Sequence, residues 1–365
     1  KEDFSAQEMK VYELLYQKAK TAQDIRNRLD KVVALISRDF QYLVRSCKSG
    51  ELANSIWAFC ALEYEPLDVF YAVQEELARR APDNFRGFTT FDFAFIMVTF
   101  AEKQFKDEQL MLQLAEQACL GIASGELSYK KEDIIFFAKA LATLQVKHVG
   151  LLNFIAREAV RYPDILVSVF WNLIMLNFID LNFMRSLYAN IEQINGLNSV
   201  DLMQIHHADL ILQQEYPEEK LQLPQKITER IRGLLEQQRH EKPYTSNMHR
   251  EVSALLSKMR LPHVDEYFVE GYYLDCAFPE MKVALEIDNE LFHNMSNSEE
   301  QLGKDVLRDR ILKNLGWHIV HVLDSAWKGS VDKQDLLKQI LPGGMKLFIY
   351  RIRHLPEILH AFFSH

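Results

Sequence analysis

Tyr272-Tyr273-Leu274-Asp275-Cys276-Ala277-Phe278, then Pro279-Glu280-Met281, then Lys282-Val283-Ala284-Leu285-Glu286-Ile287-Asp288 is where helical spacing gives way to strand spacing. Residues 272–278 and 282–288 are two strand candidates, and Pro279-Glu280-Met281 is the tight turn between them. Side chains alternate along a strand, so Ala284, Glu286 and Asp288 share one face while Val283, Leu285 and Ile287 share the other. On the neighbouring strand, Asp275 stands among Leu274, Cys276, Ala277 and Phe278.

Upstream, Ser246 is placed to cap a helix running to Arg260, with Val252, Leu255, Leu256 and Met259 on one face. Downstream, a charged helix from about Ser298 to Leu315 stops at Gly316. Trp317–Leu323 then alternates as a third strand, and Asp332–Ile340 forms a closing helix. Helix, hairpin, helix, strand, helix makes a small α/β sandwich over residues 241–341, and the polar stretch from Gln237 to Asn247 marks its start.

Residues 1–240 carry apolar positions at three- and four-residue spacing with almost no strand pattern. Ile56-Trp57-Ala58, Ile96-Met97-Val98, Phe136-Phe137-Ala138, Phe170-Trp171-Asn172 and His206-His207-Ala208 recur in successive helices. Their spacing of roughly 34 to 40 residues is the length of a two-helix solenoid unit. Second amphipathic stretches follow the first four: Leu67–Arg79, Glu108–Leu120, Gly150–Val160 and Leu181–Ile191. The expected fold is therefore an α-helical solenoid followed by a small α/β domain; an irregular helical bundle is the other reading of the first part. Residues 342–365 form a separate basic, aromatic tail containing Lys346, Arg351 and Arg353.

Composition narrows the function. With 48% hydrophobic residues and only 13 Gly and 10 Pro in 365, the chain is globular rather than disordered. A formal net charge of −9 runs against a protein that grips long nucleic acid by its phosphates. RNA contact, if made, must be local, shape-based or shared with neighbours. The four cysteines, Cys47, Cys60, Cys119 and Cys276, include no C-x-x-C pair, so the sequence displays neither a zinc motif nor a disulfide framework. The longest apolar stretch, Ile165 to Ile179, is interrupted by Ser168, Asn172 and Asn177. It reads as a buried helix, and no transmembrane segment is expected.

Asp275, Glu286 and Asp288 on adjacent strands repel one another unless a cation neutralises them. Two acids converging on paired strands hold hard divalent metals beside a phosphate in many enzymes. Equally, such acids can pair with Lys304, Arg308 or Arg310 on the next helix. Spacing alone leaves both open.

Tyr273-Leu274-Asp275, Val283 to Asp288, His293, Leu312-Lys313-Asn314-Leu315-Gly316-Trp317-His318-Ile319-Val320 and Trp327 together resemble a RAP domain. The helix His249–Arg260 also fits that family's lead-in. The resemblance covers about a quarter of the chain. It implies a restriction-endonuclease-like fold behind helical repeats of the octotricopeptide or heptatricopeptide kind, and work on RNA in mitochondria or chloroplasts. By the same resemblance Asp275 and Glu286 would be metal ligands for Mg²⁺ or Mn²⁺. Glu251 would add an acid, Asp288 belongs to the same Glu-x-Asp element, and His293 would be an acid–base residue.

Three positions depart from the pattern. Asn289 stands where the family has Gly, Phe292 where it has His, and His293 comes one residue late. The nuclease fold's usual Lys is here Asp288, as in RAP domains. Without that Lys, charge stabilisation in hydrolysis falls to the metal alone, so we expect a degenerate site and no resident cofactor.

Lys304, Arg308, Arg310 and Lys313 fall near helical spacing and could form a phosphate-facing stripe, with Trp317 able either to stack a base or to fill the core. Glu299, Glu300, Asp305 and Asp309 are interleaved with the stripe. The expected function is a non-catalytic RNA-binding protein within a mitochondrial ribonucleoprotein such as the mitoribosome, or a transcript maturation factor. A mitochondrion is preferred to a plastid. The alternatives are a metal-dependent RNA nuclease and a scaffold subunit of an organellar complex, so the partners are RNA and other proteins.

Overall fold

The structure, a computed structural model, describes residues 26–27, 29–61, 67–241, 243, 245–288, 294–298 and 300–341. His293 and the tail residues Lys346, Arg351 and Arg353 lie outside the described residues. The chain is mostly helical, with one small sheet near its C-terminal end. It divides into two compact units between Ala140 and Leu141.

The first unit contains α1 (Ser49–Ala61), α2 (Leu67–Arg80), α3 (Thr90–Glu102), α4 (Glu108–Ser124) and most of α5 (Lys131–Thr143), after a helical stretch over residues 29–43. Helix starts are written locally. Thr89 and Asp92 form a reciprocal capping box at α3, and the Asp107 carboxylate accepts the Leu110 N–H at α4. Phe70, Phe100 and Phe105 interlock edge-on and tilted at 5.2–5.7 Å between ring centres, so α2 and α3 share an aromatic core. Glu76 is buried in α2 but held by Arg79 and Arg80 at 2.7 and 2.5 Å.

The second unit begins with α6 (Val149–Ala159), α7 (Leu166–Met175), α8 (Leu181–Asn190), α9 (Ser199–Glu215) and α10 (Gln225–Arg239). Helices α2, α4, α6 and α8 occupy the four stretches expected as second members of helix pairs. The apolar run after Ile165 is α7, with eight of its ten residues buried. Among the described residues no helix is long and apolar enough to cross a membrane.

Then come α11 (Asn247–Lys258), β1 (Val264–Val269), β2 (Tyr272–Phe278), β3 (Val283–Asp288), α12 (Gly303–Asn314), β4 (His318–Leu323), α13 (Asp324–Gly329) and α14 (Lys333–Ile340). The sheet order is β1-β2-β3-β4, antiparallel across the first two pairs and parallel between β3 and β4. One sheet face packs Cys276, Leu285 and Val322 against Val252, Leu256, Trp327 and Leu337. The other packs Leu274 and Ala284 against Leu312 and Trp317.

Four strands replace the three expected. Val264-Asp265-Glu266-Tyr267-Phe268-Val269 lacks clean alternation, and Glu266 takes a left-handed φ of 53° while the register with β2 runs on unbroken. The β1–β2 turn is the pair Glu270-Gly271, with φ of 48° and 90°, both positive as a two-residue hairpin requires. The φ of 90° favours glycine at 271, and a Cβ there would also push aside the Met203 Cε, 2.2 Å away.

The boundary expected near residue 240 falls inside the second unit, because α12 packs on α7 and α9. Arg310 fastens it. Its Nε donates to Glu215 Oε1 at 2.7 Å, Nη1 to the Ile174 carbonyl at 3.1 Å and Nη2 to Asn177 Oδ1 at 2.8 Å, while Asn314 donates to Glu215 at 2.7 Å. Arg310→Ala leaves Glu215 and two acceptors short of donors, so it should destabilise the second unit by about 2–3 kcal/mol. Urea unfolding followed by tryptophan fluorescence reads this; a midpoint equal to wild type would refute the fastening role.

Candidate nucleic-acid interface

A pocket of about 460 Å³ opens where the helical and α/β parts of the second unit meet. That volume lies within the usual ligand-site range of about 300–1,000 Å³. Its walls are Trp171 of α7, His207 of α9, Gln238 of α10, the hairpin residues Gly271 and Tyr272, and Lys304, Asp305 and Arg308 of α12. His207 and Tyr272 lie parallel, 4.3 Å between ring centres and 9° between planes, and Trp171 stands 6.1 Å from His207. The Arg308 guanidinium sits 5.6 Å from the centre of the Tyr272 ring.

The hairpin tip sets this wall. His206 Nε2 meets Glu270 Oε2 at 2.8 Å, and His207 Nε2 meets the Glu270 carbonyl at 2.7 Å. Burial pushes the His207 pKa down to about 4, so the ring is neutral at pH 7. Its Nε2–H then donates to the carbonyl, leaving Nδ1 to accept the Tyr272 hydroxyl at 3.1 Å. The Glu270 carboxyl is held below its ordinary range, chiefly by the hydrogen bond from His206. The adjacent histidines thus brace one turn through two different atoms.

The expected stripe of four cations does not form. Lys304 is exposed and makes no hydrogen bond or ion pair with a described residue. Lys313 is exposed elsewhere on the helix. Arg308 turns into the sheet, donating to Glu286 Oε2 at 2.6 Å and to the Tyr273 carbonyl at 3.0 Å. Arg310 is committed to Glu215. The reason is angular: at 100° per residue, positions 304 and 308 share a face and 310 lies on another. Trp317 is buried against Tyr267 and fills the core.

Beneath the pocket runs a charged row across the sheet. Glu286 and His321 are register partners on β3 and β4. Burial pushes Glu286 up to about 8, with Arg308 pulling the other way and Asp275 and Asp288 adding to the rise. Its Oε1 is buried and has no hydrogen-bond partner among the described residues. Asp288 bonds His321 Nδ1, and His321 Nε2 meets Asp309 at 2.9 Å. The Asp275 carboxylate accepts the Ile287 N–H at 2.7 Å, and desolvation raises its pKa.

Glu251 is spent elsewhere: its Oε2 accepts from Trp327 Nε1 at 3.1 Å and from Lys333 Nζ at 2.8 Å. Among the described residues, Glu286 belongs to no cluster of three ligand atoms spaced for a metal; Asp275 does, with His249 and Glu266.

Trp171, His207, Gln238 and Tyr272 were not singled out from sequence as site residues. A signal existed for two of them. Trp171 and His207 are the middle residues of two recurring triplets, 36 positions apart.

No family model matches the chain. Over 189 residues it is 25% identical to a RAP domain-containing protein, chloroplastic, of Oryza sativa subsp. japonica, covering 49% of this chain and 29% of the relative. The chain therefore spans less than a third of the length of that protein. The likeness is distant and partial, and it supports the RAP-domain resemblance.

The raised His321 and Glu286 predict a fold that loses stability in alkali. His321 is raised to about 10 in the folded state, first by the hydrogen bond to Asp288 and then by that to Asp309. A raised pKa means the folded state holds the proton more tightly. This stabilisation is complete below the ordinary value of 6.5 and is lost as pH climbs towards about 10. Glu286 has the same sign, losing its share between its ordinary 4.5 and about 8. Melting temperature should fall from about pH 6 to about pH 10, and His321→Asn should make that fall shallower. Equal slopes in the two proteins would remove His321 from the explanation.

Proposed function

We propose that this is an RNA-associated protein of an organelle that takes an unstacked nucleotide of single-stranded RNA into the pocket and does not cut it. The observation that carries the reading is the composition of the pocket wall. Aromatic rings line it, and Lys304 lines it too, exposed and making no ion pair with a described residue. A base stacks on aromatic side chains whatever its sequence, and a lysine offers a point charge to the neighbouring phosphate. Such a contact is local, as a chain of net charge −9 requires.

The RAP-domain relative supports both the RNA and the organelle. Its plastid label puts plastid beside mitochondrion as the compartment. Membership of a ribonucleoprotein such as a mitochondrial ribosome, or a part in transcript maturation, fits a binder without chemistry. The helix pairs before the sandwich would be its repeats.

Non-catalytic status rests on Arg308. A divalent ion shared by Asp275 and Glu286 would need the space and the charge complement that the guanidinium takes at 2.6 Å from Glu286. The pair therefore does not fit Mg²⁺ or Mn²⁺ as it stands, and we derive no hydrolytic step from it.

Binding of a fluorescent single-stranded RNA of mixed sequence tests this. Lys304→Ala should weaken binding and lower the salt dependence by about one phosphate contact. Trp171→Ala should cost about 10-fold in affinity, within the usual worth of one stacked base. Binding untouched by both substitutions refutes the pocket. Cleavage of the RNA in Mg²⁺ or Mn²⁺ that Glu286→Gln abolishes would establish the nuclease instead.

A further inference from the structure

We propose that the pocket selects the base it stacks, taking adenine in preference to the other three through the side-chain amide of Gln238. The inference rests on the pocket being a nucleotide site and adds which base that site takes.

Stacking chooses weakly among bases, so selection has to come from groups that meet a base edge. The ring pair in the wall has none to give. His207 Nε2 faces the Glu270 carbonyl and its Nδ1 faces the Tyr272 hydroxyl, so both polar tips are engaged with protein. Arg308, whose fork would suit guanine O6 and N7, is held by Glu286 and by the Tyr273 carbonyl. Gln204 and Gln238 differ. Both line the pocket, and neither side-chain amide makes a hydrogen bond with a described residue. Gln204 lies one turn before His207 on α9, so the two share a helix face.

Gln238 carries the argument, because its Oε1 is buried without a donor among the described residues. Such an acceptor is costly until an N–H or O–H reaches it. The turn of α10 that bears it is fixed from the hairpin side. The Tyr273 hydroxyl reaches the carbonyls of Gln238 and, at 3.0 Å, of Glu241, and the Arg239 guanidinium sits 5.8 Å from the centre of the Phe268 ring. The last torsion of a glutamine is soft, so the amide can turn its oxygen towards a ligand while the backbone stays in place.

The wall also holds the Asp305 carboxylate, a second group that accepts and cannot donate. Uracil and guanine carry an exocyclic carbonyl oxygen, O4 or O6, next to their ring N–H, and that oxygen is repelled by both acceptors. Adenine and cytosine carry an exocyclic amino group in its place, whose hydrogens suit them. Between these two, the purine covers more of the ring wall. A glutamine amide also matches adenine at two points, with Oε1 accepting from N6–H and Nε2 donating to N7.

The test uses the full chain and fluorescent single-stranded RNAs that differ only in one central nucleotide within a run of uridine. Central adenosine should bind about 10-fold tighter than central uridine, within the worth of one good bidentate pair, and tighter than cytidine or guanosine. Purine riboside, which is adenosine without its 6-amino group, should lose that advantage on the wild-type chain. Gln238→Leu should lose it too, and the two changes together should cost no more than either alone. The riboside needs no altered protein, so it decides even where the variant fails to fold. Four RNAs bound equally, yet all weakened by Trp171→Ala, would leave a stacking pocket and overturn the base choice. A preference for guanosine or uridine, or one for adenosine that survives Gln238→Leu, overturns it as well. RNA that does not bind at all removes the nucleotide site and this inference together.

Discussion

A carboxyl group buried at the middle of a sheet needs a donor brought to it, and Arg308, donating to Glu286 Oε2, meets that need. The pair adds little net stability, since desolvation of both groups offsets most of their attraction. Its effect is geometric. Once Arg308 reaches over β3, the rotation of α12 about its own axis is fixed. Lys304, one turn earlier on the same face, comes to the rim of the pocket. Arg310, turned by two residues, is left facing α7 and α9, where Glu215 meets it. One buried contact thus sets both the pocket floor and the docking of the sandwich on the helices.

Much of the sandwich is legible because its cues are local. Ser246 caps α11, Gly316 stops α12 with a φ of 86°, and the alternating run 283–288 carries its own face assignment. Strand β1 is hidden because its two adjacent acids, Asp265 and Glu266, break the alternation that marks a strand. Its turn is hidden because Glu270 stands where Asn or Asp would announce a two-residue hairpin. What stabilises that glutamate at positive φ is tertiary: His206 and His207, more than sixty residues earlier, bond its carboxylate and carbonyl. No local rule contains that information. The same limit applies to the stripe. Helical spacing separates 304 and 308 from 310, but which face meets the sheet depends on Glu286, a residue of another element.

The acidic balance and the basic-aromatic pocket answer one another. A protein of net charge −9 gains nothing from long-range attraction to phosphate, so on the proposed reading an encounter with RNA would be slowed rather than steered. Affinity would then come from contacts that act at van der Waals distance, which means stacking and one or two fixed charges. The neutral His207 fits this economy, because a charged ring there would be paid for by desolvation without reaching solvent.

The pocket's walls come from elements far apart in sequence: α7, α9 and α10 on one side, the hairpin and α12 on the other. They are held together by the Arg310–Glu215 cluster and by the two histidines on Glu270. A ligand bridging both walls binds only the docked arrangement, so it stabilises the docking by the logarithm of its occupancy. The reverse follows by linkage: whatever loosens α12 or the hairpin tip lowers affinity without touching the ligand. On the proposed reading, recognition is therefore a property of the joint between the helices and the sandwich, since residues of both line the pocket.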